Sequence, residues 1–372
     1  MKAITRFTNA IMEKYLPDPY IFVAILTAIV VGLGMIFTDS SFVDMTIYWG
    51  DGFWGILAFT MQMVIVLAAG HVLANSPLFK KVLSGAASKI KTPSMAIIVV
   101  TFVSLVACWI NWGFGLVIGA LFAKEIARQV RKVDYRLLIA SAYSGMVIWH
   151  GGLAGSIPLS IATEGHPFQD VMGVVDTNTT LFSTYNLFIV LVILFTLPFF
   201  NRFLMPKDED VVEIDPSLIK DEEIALPKPE KNFASISERS YIITGIVGLL
   251  GVTYIVYHFA TKGFKLDLNI INTIFVISGI ILHGTPQRFL AAAQQAIKTT
   301  SGIVFQFPFY AGIMGMMTFS GLAGVMSDWF INISNGTTFY LFTFYAAGLV
   351  NFFVPSGGGQ WTVQAPVMVE AA

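Results

Sequence analysis

Two short glycine-rich stretches carry the residue types from which an anion site can be built. One is Asn111-Trp112-Gly113-Phe114-Gly115, and the other is Pro355-Ser356-Gly357-Gly358-Gly359-Gln360. Each interrupts an apolar run, so each predicts one helix that stops and another that starts within a few residues. A helix start presents backbone N–H groups at the positive end of the helix dipole, which favours a carboxylate. Asn111 or Ser356 can add a side-chain donor, while glycine allows φ > 0 and close approach of a ligand. The same residues also have a plainer use, because Asn and Ser cap helices and glycines let helices pack closely.

A third stretch, Trp149-His150-Gly151-Gly152-Leu153-Ala154-Gly155-Ser156-Ile157-Pro158, predicts an unwound segment. His150 there can exchange a proton near neutral pH, and Ser156 can touch a ligand. The candidate substrate residues are thus Asn111, Trp112, Gly113, Gly115, Ser356, Gly357, Gly358, Gly359 and Gln360. His150, Gly151, Gly152 and Ser156 are candidates for coupling or further substrate contact. Glu125, with Lys124 and Arg128 beside it, reads as a solvated interfacial pair, and Gln62, Gln306 and Gln360 as ties between helices. No His-Glu-x-x-His, Walker-type loop, Gly-x-Ser-x-Gly or Cys/His cluster occurs, and Cys108 is the single cysteine. The expectation is a non-enzyme without cofactor or metal site.

The elements that must position these residues are membrane helices. Apolar residues make up 55% and charged residues 12% of the 372, roughly half the charge of a soluble domain. A net charge of −1 offers nothing to nucleic acid. Met1–Leu16 reads as an amphipathic lead-in and Pro19–Phe37 as a spanning helix. Asp39–Asp51 reads as an acidic outer loop, and Gly52–Ala74 as the return span. Pro77–Lys91 then lies in the interface. Met95–Ile110 and Leu116–Ala127 are the arms of a re-entrant hairpin, too short to span and flanked at both ends by basic residues. Leu137–Leu159 is a broken span and Leu181–Phe200 a return, followed by the polar linker Lys207–Glu238. Tyr241–Ala260, Leu268–Leu282, Pro286–Lys298, Ser301–Phe319 and Leu322–Ile333 follow. Phe339–Phe353 and Gln360–Val369 are the arms of a second hairpin.

A shift of about 245 positions superimposes the two hairpins and the elements before them, with opposite charge flanks. Inverted repeats with discontinuous helices meeting near mid-membrane mark secondary transporters, so the two tips are expected to come close together. The expected regions are 1–91 and 239–336 for the scaffold helices of the two repeats, 92–200 for the first hairpin with the broken helix, 201–238 for the linker, and 337–372 for the second hairpin. The last segment reads as unfinished, as in a chain truncated at its C-terminal end.

Four segments carry a family resemblance. Asp51-Gly52-Phe53-Trp54, Ile110-Asn111-Trp112-Gly113-Phe114-Gly115, Gln306-Phe307-Pro308-Phe309-Tyr310-Ala311-Gly312 and Val354-Pro355-Ser356-Gly357-Gly358-Gly359-Gln360-Trp361 resemble the bacterial short-chain fatty acid transporter family, of acetoacetate and butyrate permease type. The resemblance covers essentially the whole chain. It implies an all-α, multi-pass inner-membrane carrier within the ion transporter superfamily, with two re-entrant hairpins that move elevator-fashion past a scaffold. It also implies substrate at the two tips beside Trp149–Pro158. A short monocarboxylate suits helix-end N–H groups next to Trp112, Phe114 and Trp361, whereas a dicarboxylate would call for more buried positive charge. A dicarboxylate or amino acid carrier on the same fold, or a channel, are the alternatives. Proton or sodium coupling stays open at this point, with a lean to protons through His150, and so does a homodimeric state.

Overall fold

The computed structural model describes Lys14, residues 17–219, Leu226 and residues 228–371. The lead-in read over Met1–Leu16, apart from Lys14, and part of the middle of the linker lie outside the described residues. Among the described residues every regular element is helical. The chain runs through α1 (Pro19–Phe37), α2 (Phe42–Gly52), α3 (Leu57–Ala74), α4 (Pro77–Ala87), α5 (Pro93–Ile110), α6 (Trp112–Gln129) and α7 (Tyr135–Tyr143). A 3-10 stretch, Ser144–Gly151, leads to α8 (Ser156–Ala162), α9 (Gln169–Met172) and α10 (Thr184–Phe203). After the linker come α11 (Phe233–Glu238), α12 (Tyr241–Lys262), α13 (Leu268–His283), α14 (Pro286–Lys298) and α15 (Ser301–Phe319). The last three are α16 (Leu322–Ile333), α17 (Thr338–Phe353) and α18 (Gly357–Ala371). Among the described residues seven segments are long and apolar enough to cross a membrane: α1, α3, α5, Tyr135–Ala162, α10, α12 and α15. Their apolar side chains point outward as well as inward. On α12, Ile242, Leu249, Leu250 and Tyr257 are all exposed, as expected of a helix whose solvent is lipid.

The order of elements recurs. Helices starting at Leu57, Pro77, Pro93 and Trp112 have counterparts starting at Ser301, Leu322, Thr338 and Gly357, each about 245 positions further on.

Two expectations need correction. Asp39–Asp51 is not a loop: Ser41 and Asp44 form a reciprocal capping box that starts α2. The hairpin arms are also longer than read. Trp112–Gly115 are helical, so both arms have 18 residues and each reaches about 27 Å at 1.5 Å per residue. Shortness of the arms therefore gives no argument for a tip at mid-membrane.

The described residues divide into two compact units, one within Met1–Met61, Asp170–Met172 and Gly302–Ala372, the other within Gln62–Gln169 and Gly173–Ser301. In the first, α2 and α15 approach backbone to backbone: a Cβ on Gly52 would lie 2.7 Å from the Gly315 Cα. Trp49 and Phe53 pack edge-on against Phe309 there, and Phe22 of α1 contacts Phe352 and Phe353 of α17.

In the second unit, α5 and α6 form an antiparallel hairpin. Gly115 packs on Cys108, and one helical turn further from the tip Gly119 packs on Ser104. Ser104 Oγ also donates to the Ala142 carbonyl of α7. Asn201 of α10 ties this group together, donating to Thr101 Oγ1 at 3.1 Å and Ser144 Oγ at 2.9 Å.

Asp134 joins the start of α7 to the linker. Its carboxylate accepts from the Leu137 N–H, the Val212 N–H and Arg136, each at 2.9 Å. Burial raises its pKa, but these three hydrogen bonds outweigh burial and hold the carboxyl below its ordinary 3.8. A depressed folded-state pKa contributes stability above the unfolded value that is lost as pH falls through the folded one. Asp134→Asn should therefore speed amide hydrogen exchange at residues 208–215 at neutral pH. The wild type should show the same loosening only below its depressed pKa. Unchanged exchange in the variant would mean that the linker is held by other contacts.

Candidate functional site

Asn111 is the one residue that breaks the first hairpin, and it is fully buried. Its extended backbone, φ −159° and ψ 125°, ends α5 and begins α6. Of the four N–H groups that open α6, two are satisfied by Asn111 itself. Its Oδ1 accepts from the Phe114 N–H at 2.9 Å, and its carbonyl accepts from Gly115 at 2.8 Å. The N–H groups of Trp112 and Gly113 remain without an acceptor in the preceding chain.

The second tip, in the other unit, repeats this arrangement. Ser356 Oγ accepts from the Gly359 N–H at 3.4 Å and the Ser356 carbonyl from Gln360 at 2.7 Å. The N–H groups of Gly357 and Gly358 are left in the same way.

The glycines act through packing rather than through unusual dihedrals. The glycines with positive φ are Gly165, Gly173, Gly263, Gly284 and Gly321, none of them at a tip. Gly113 lies under α3, where a Cβ would come 2.8 Å from the Leu67 Cα. Gly358 faces Phe59, and Gly359 sits on the ring of the fully buried Tyr310, with a Cβ 2.5 Å from Cε2. Gln360 ties the second hairpin: its Oε1 accepts from Asn351 at 2.9 Å, and its Nε2 donates to the Ala347 carbonyl at 2.9 Å and to Gln364 at 3.1 Å. That leaves little of its amide for a ligand.

The broken segment is seated on the first tip. Gly152 lies so close to Trp109 that a Cβ would strike the Trp109 carbonyl, and the Leu153 N–H donates to that same carbonyl at 2.7 Å. The Trp112 ring meets Trp149 edge-on at 5.3 Å, and Trp149 meets His150 at 4.5 Å. Asn186 of α10 holds the outer side of the segment, donating to the Gly151 carbonyl at 3.1 Å. Ser156 is buried at the start of α8. The structure thus brings Asn111, Trp112, Gly113, Gly115, His150, Gly151, Gly152 and Ser156 into one unit, and Ser356 to Gln360 into the other.

Three polar atoms of this group are buried and have no hydrogen-bond partner: Trp109 Nε1, Trp112 Nε1 and His150 Nδ1. Leaving a buried donor unpaired costs about 1–3 kcal/mol, so an acceptor supplied by a small anion would be matched to this place. Trp109 was not among the residues singled out from sequence. Its position two residues before the Asn111 break was the available signal. Among the described residues no three His, Cys, Asp or Glu side chains come together as a metal site would require.

A buried, capped helix break beside an unwound segment, in a chain whose described residues include seven segments of membrane-spanning length, is in keeping with a multi-pass membrane transporter. The comparisons are specific. The whole chain, residues 1–372, matches the family described as short chain fatty acid transporter. Two relatives carry that name provisionally. The one from Escherichia coli (strain K12) is 45% identical over 372 residues, 99% of this chain and 84% of the relative. The one from Haemophilus influenzae (strain ATCC 51907 / DSM 11121 / KW20 / Rd) is 44% identical over 378 residues, 99% of this chain and 85% of the relative. No solved structure matches the chain. The protein belongs to the short chain fatty acid transporter family.

The packing gives a test of the glycines. Gly113→Val and Gly152→Ala should each force backbone apart, destabilising the protein by about 1–3 kcal/mol and abolishing uptake. Gly85→Ala, where a Cβ would meet nothing within 4 Å, should leave both unchanged. Melting temperature in detergent and uptake into vesicles are the measurements.

Proposed function

We propose that the protein is a secondary carrier of short-chain monocarboxylates of the butyrate and acetoacetate type, working by alternating access across the bacterial inner membrane. The observation that carries this reading is the set of unpaired donors at the first tip: the indole N–H groups of Trp109 and Trp112, together with the open N–H groups of Trp112 and Gly113. A carboxylate offers two oxygens to such donors, and helix-start N–H groups stabilise its charge. The rings of Trp112 and Trp149, edge-on to each other, suit a short apolar tail. A monocarboxylate is favoured over a dicarboxylate because this group includes no Arg or Lys.

In this reading residues 92–200 and 337–372 carry substrate, 1–91 and 239–336 anchor the protein in the bilayer, and 201–238 link the two halves. The recurrence of four helix starts at one offset supports a repeat of two halves. Inversion of one half would supply the two access states, as in other repeat-built carriers. The coupling ion in this reading is the proton, with His150 as its carrier. His150 lies edge-on to Trp149, which in turn contacts the tip residue Trp112, so a change of charge on its ring is transmitted directly to the substrate site.

Uptake of labelled butyrate and acetoacetate into vesicles, with imposed pH or sodium gradients, tests the reading. The wild type should accumulate both substrates on a pH gradient. Trp112→Phe keeps the ring but removes the donor. It should raise KM about tenfold or more, since a hydrogen bond to a charged group contributes about 1.5–3 kcal/mol. An unchanged KM would remove Trp112 from the site. His150→Ala should weaken accumulation driven by a pH gradient more than it weakens equilibrium exchange of labelled substrate. Strict dependence on sodium at fixed pH would overturn the proton assignment.

A further inference from the structure

A second feature of the first hairpin is not accounted for by the tip. On the α6 side of the hairpin, walled by α3, α4, α6 and α14, lies a cavity of about 640 Å³. At one end its lining includes Leu67 and Leu116. Leu67 is the residue that covers Gly113, and Leu116 directly follows Gly115, so this end adjoins the tip. Its other end is polar and includes Lys80, Lys124 and Glu125. From Leu116 to Lys124 the cavity follows α6 for about 12 Å at 1.5 Å per residue.

The charges at the polar end do not cancel. Glu125 is committed to Arg128 at 2.6 Å, and Arg128 also donates to the Ile219 carbonyl at 2.9 Å. No ion pair among the described residues occupies Lys80 or Lys124. The mouth is therefore cationic, while the wall nearer the tip includes Leu67 and Leu116. A basic mouth on a low-dielectric cleft concentrates anions and raises their association rate. The volume lies within the range of about 300–1,000 Å³ usual for small-ligand pockets, ample for a carboxylate of a few carbons.

We propose that this cavity is the approach path by which a small organic anion reaches the first tip, with Lys80 and Lys124 as steering residues that act before binding. The proposal rests on the carrier reading for the identity of the anion, but the electrostatics of the path can be tested without it. Lys124 lies 13 residues after Asn111, more than three turns along α6, and Lys80 Nζ is not among the hydrogen-bond partners of Asn111. Their effect belongs to association, so it is screened by salt, whose Debye length falls from about 10 Å at 0.1 M to about 3 Å at 1 M.

The test uses the full chain in proteoliposomes of zwitterionic lipid. Lys80→Gln/Lys124→Gln should raise the KM for labelled butyrate about fivefold at low ionic strength, with Vmax unchanged. The difference from wild type should fade at high salt. Lys89→Gln, an exposed lysine outside the cavity, should behave as wild type. An equal effect of Lys89→Gln, or a fall in Vmax at unchanged KM, would overturn the proposal. A difference that arises only when anionic lipid is added would reassign the lysines to a lipid headgroup.

A second measurement does not depend on transport. Ala120→Cys places a thiol on the cavity wall, and native Cys108 is buried. An anionic methanethiosulfonate should label this thiol faster than a cationic one, and Lys80→Gln/Lys124→Gln should reduce that ratio at least fivefold. A ratio that the double variant leaves unchanged would sink the path, whatever the substrate. Failure of the wild type to move either carboxylate, with the labelling ratio as expected, would sink the carrier reading alone.

Discussion

A helix that breaks inside an apolar interior must find partners for the backbone groups it releases, because no water is there to take them. Asn111 answers that requirement with one residue. Its extended backbone turns the chain, its side chain and carbonyl satisfy two N–H groups of α6, and its Nδ2 reaches towards the Val66 carbonyl of α3 at 3.5 Å. The rest of the unit's geometry follows from this turn. With the chain reversed in one residue, α5 and α6 lie close enough that only glycine fits at 115 opposite Cys108. The same closeness exposes the last turn of α5, where Trp109 receives the Leu153 N–H and so anchors the unwound segment. Ser356 does for the second tip what Asn111 does for the first, at positions about 245 apart.

Much of the helical frame was legible in the sequence because apolar runs end where capping residues and prolines stand. The helices Pro286–Lys298, Ser301–Phe319 and Leu322–Ile333 run over the residues read for them, and Tyr241 and Leu268 start helices as expected. The misreadings have local causes. Acidic residues in 39–51 suggested a loop, yet Ser41 with Asp44 three positions later is a helix-start signal that outweighs them. Glycines at 113, 115 and 357–359 suggested irregular backbone, since glycine is costly within a helix. In the first turn that cost is small, and close packing against Leu67, Cys108 and Tyr310 offsets it.

The site was less legible than the frame. Residue type pointed to Asn111 and Ser356, because few side chains can cap a buried helix start. It could not separate the two uses of Gln360, which three-dimensional contacts assign to joining α17 and α18. Nor could it find Trp109, whose role depends on a carbonyl that only folding brings against Gly152 and Leu153 and on an indole N–H that only folding buries. The cavity along α6 depends on four helices and lies beyond any local pattern.

In the proposed reading the donors at the tip and the lysines at the mouth act on different stages of one process, and their separation has a physical reason. A lysine placed at the tip itself would bind a carboxylate strongly in a low-dielectric setting, and a carrier must also let its cargo go. Neutral donors avoid that trap. An N–H group stabilises a carboxylate without a full charge, so binding stays shallow enough to reverse when the site opens to the other side. Charge is better kept at the mouth, where screening by salt limits it to steering. The proportions of this chain agree with that division: hydrogen-bond donors without cations at Trp109–Gly113, and cations without a buried carboxylate partner at Lys80 and Lys124.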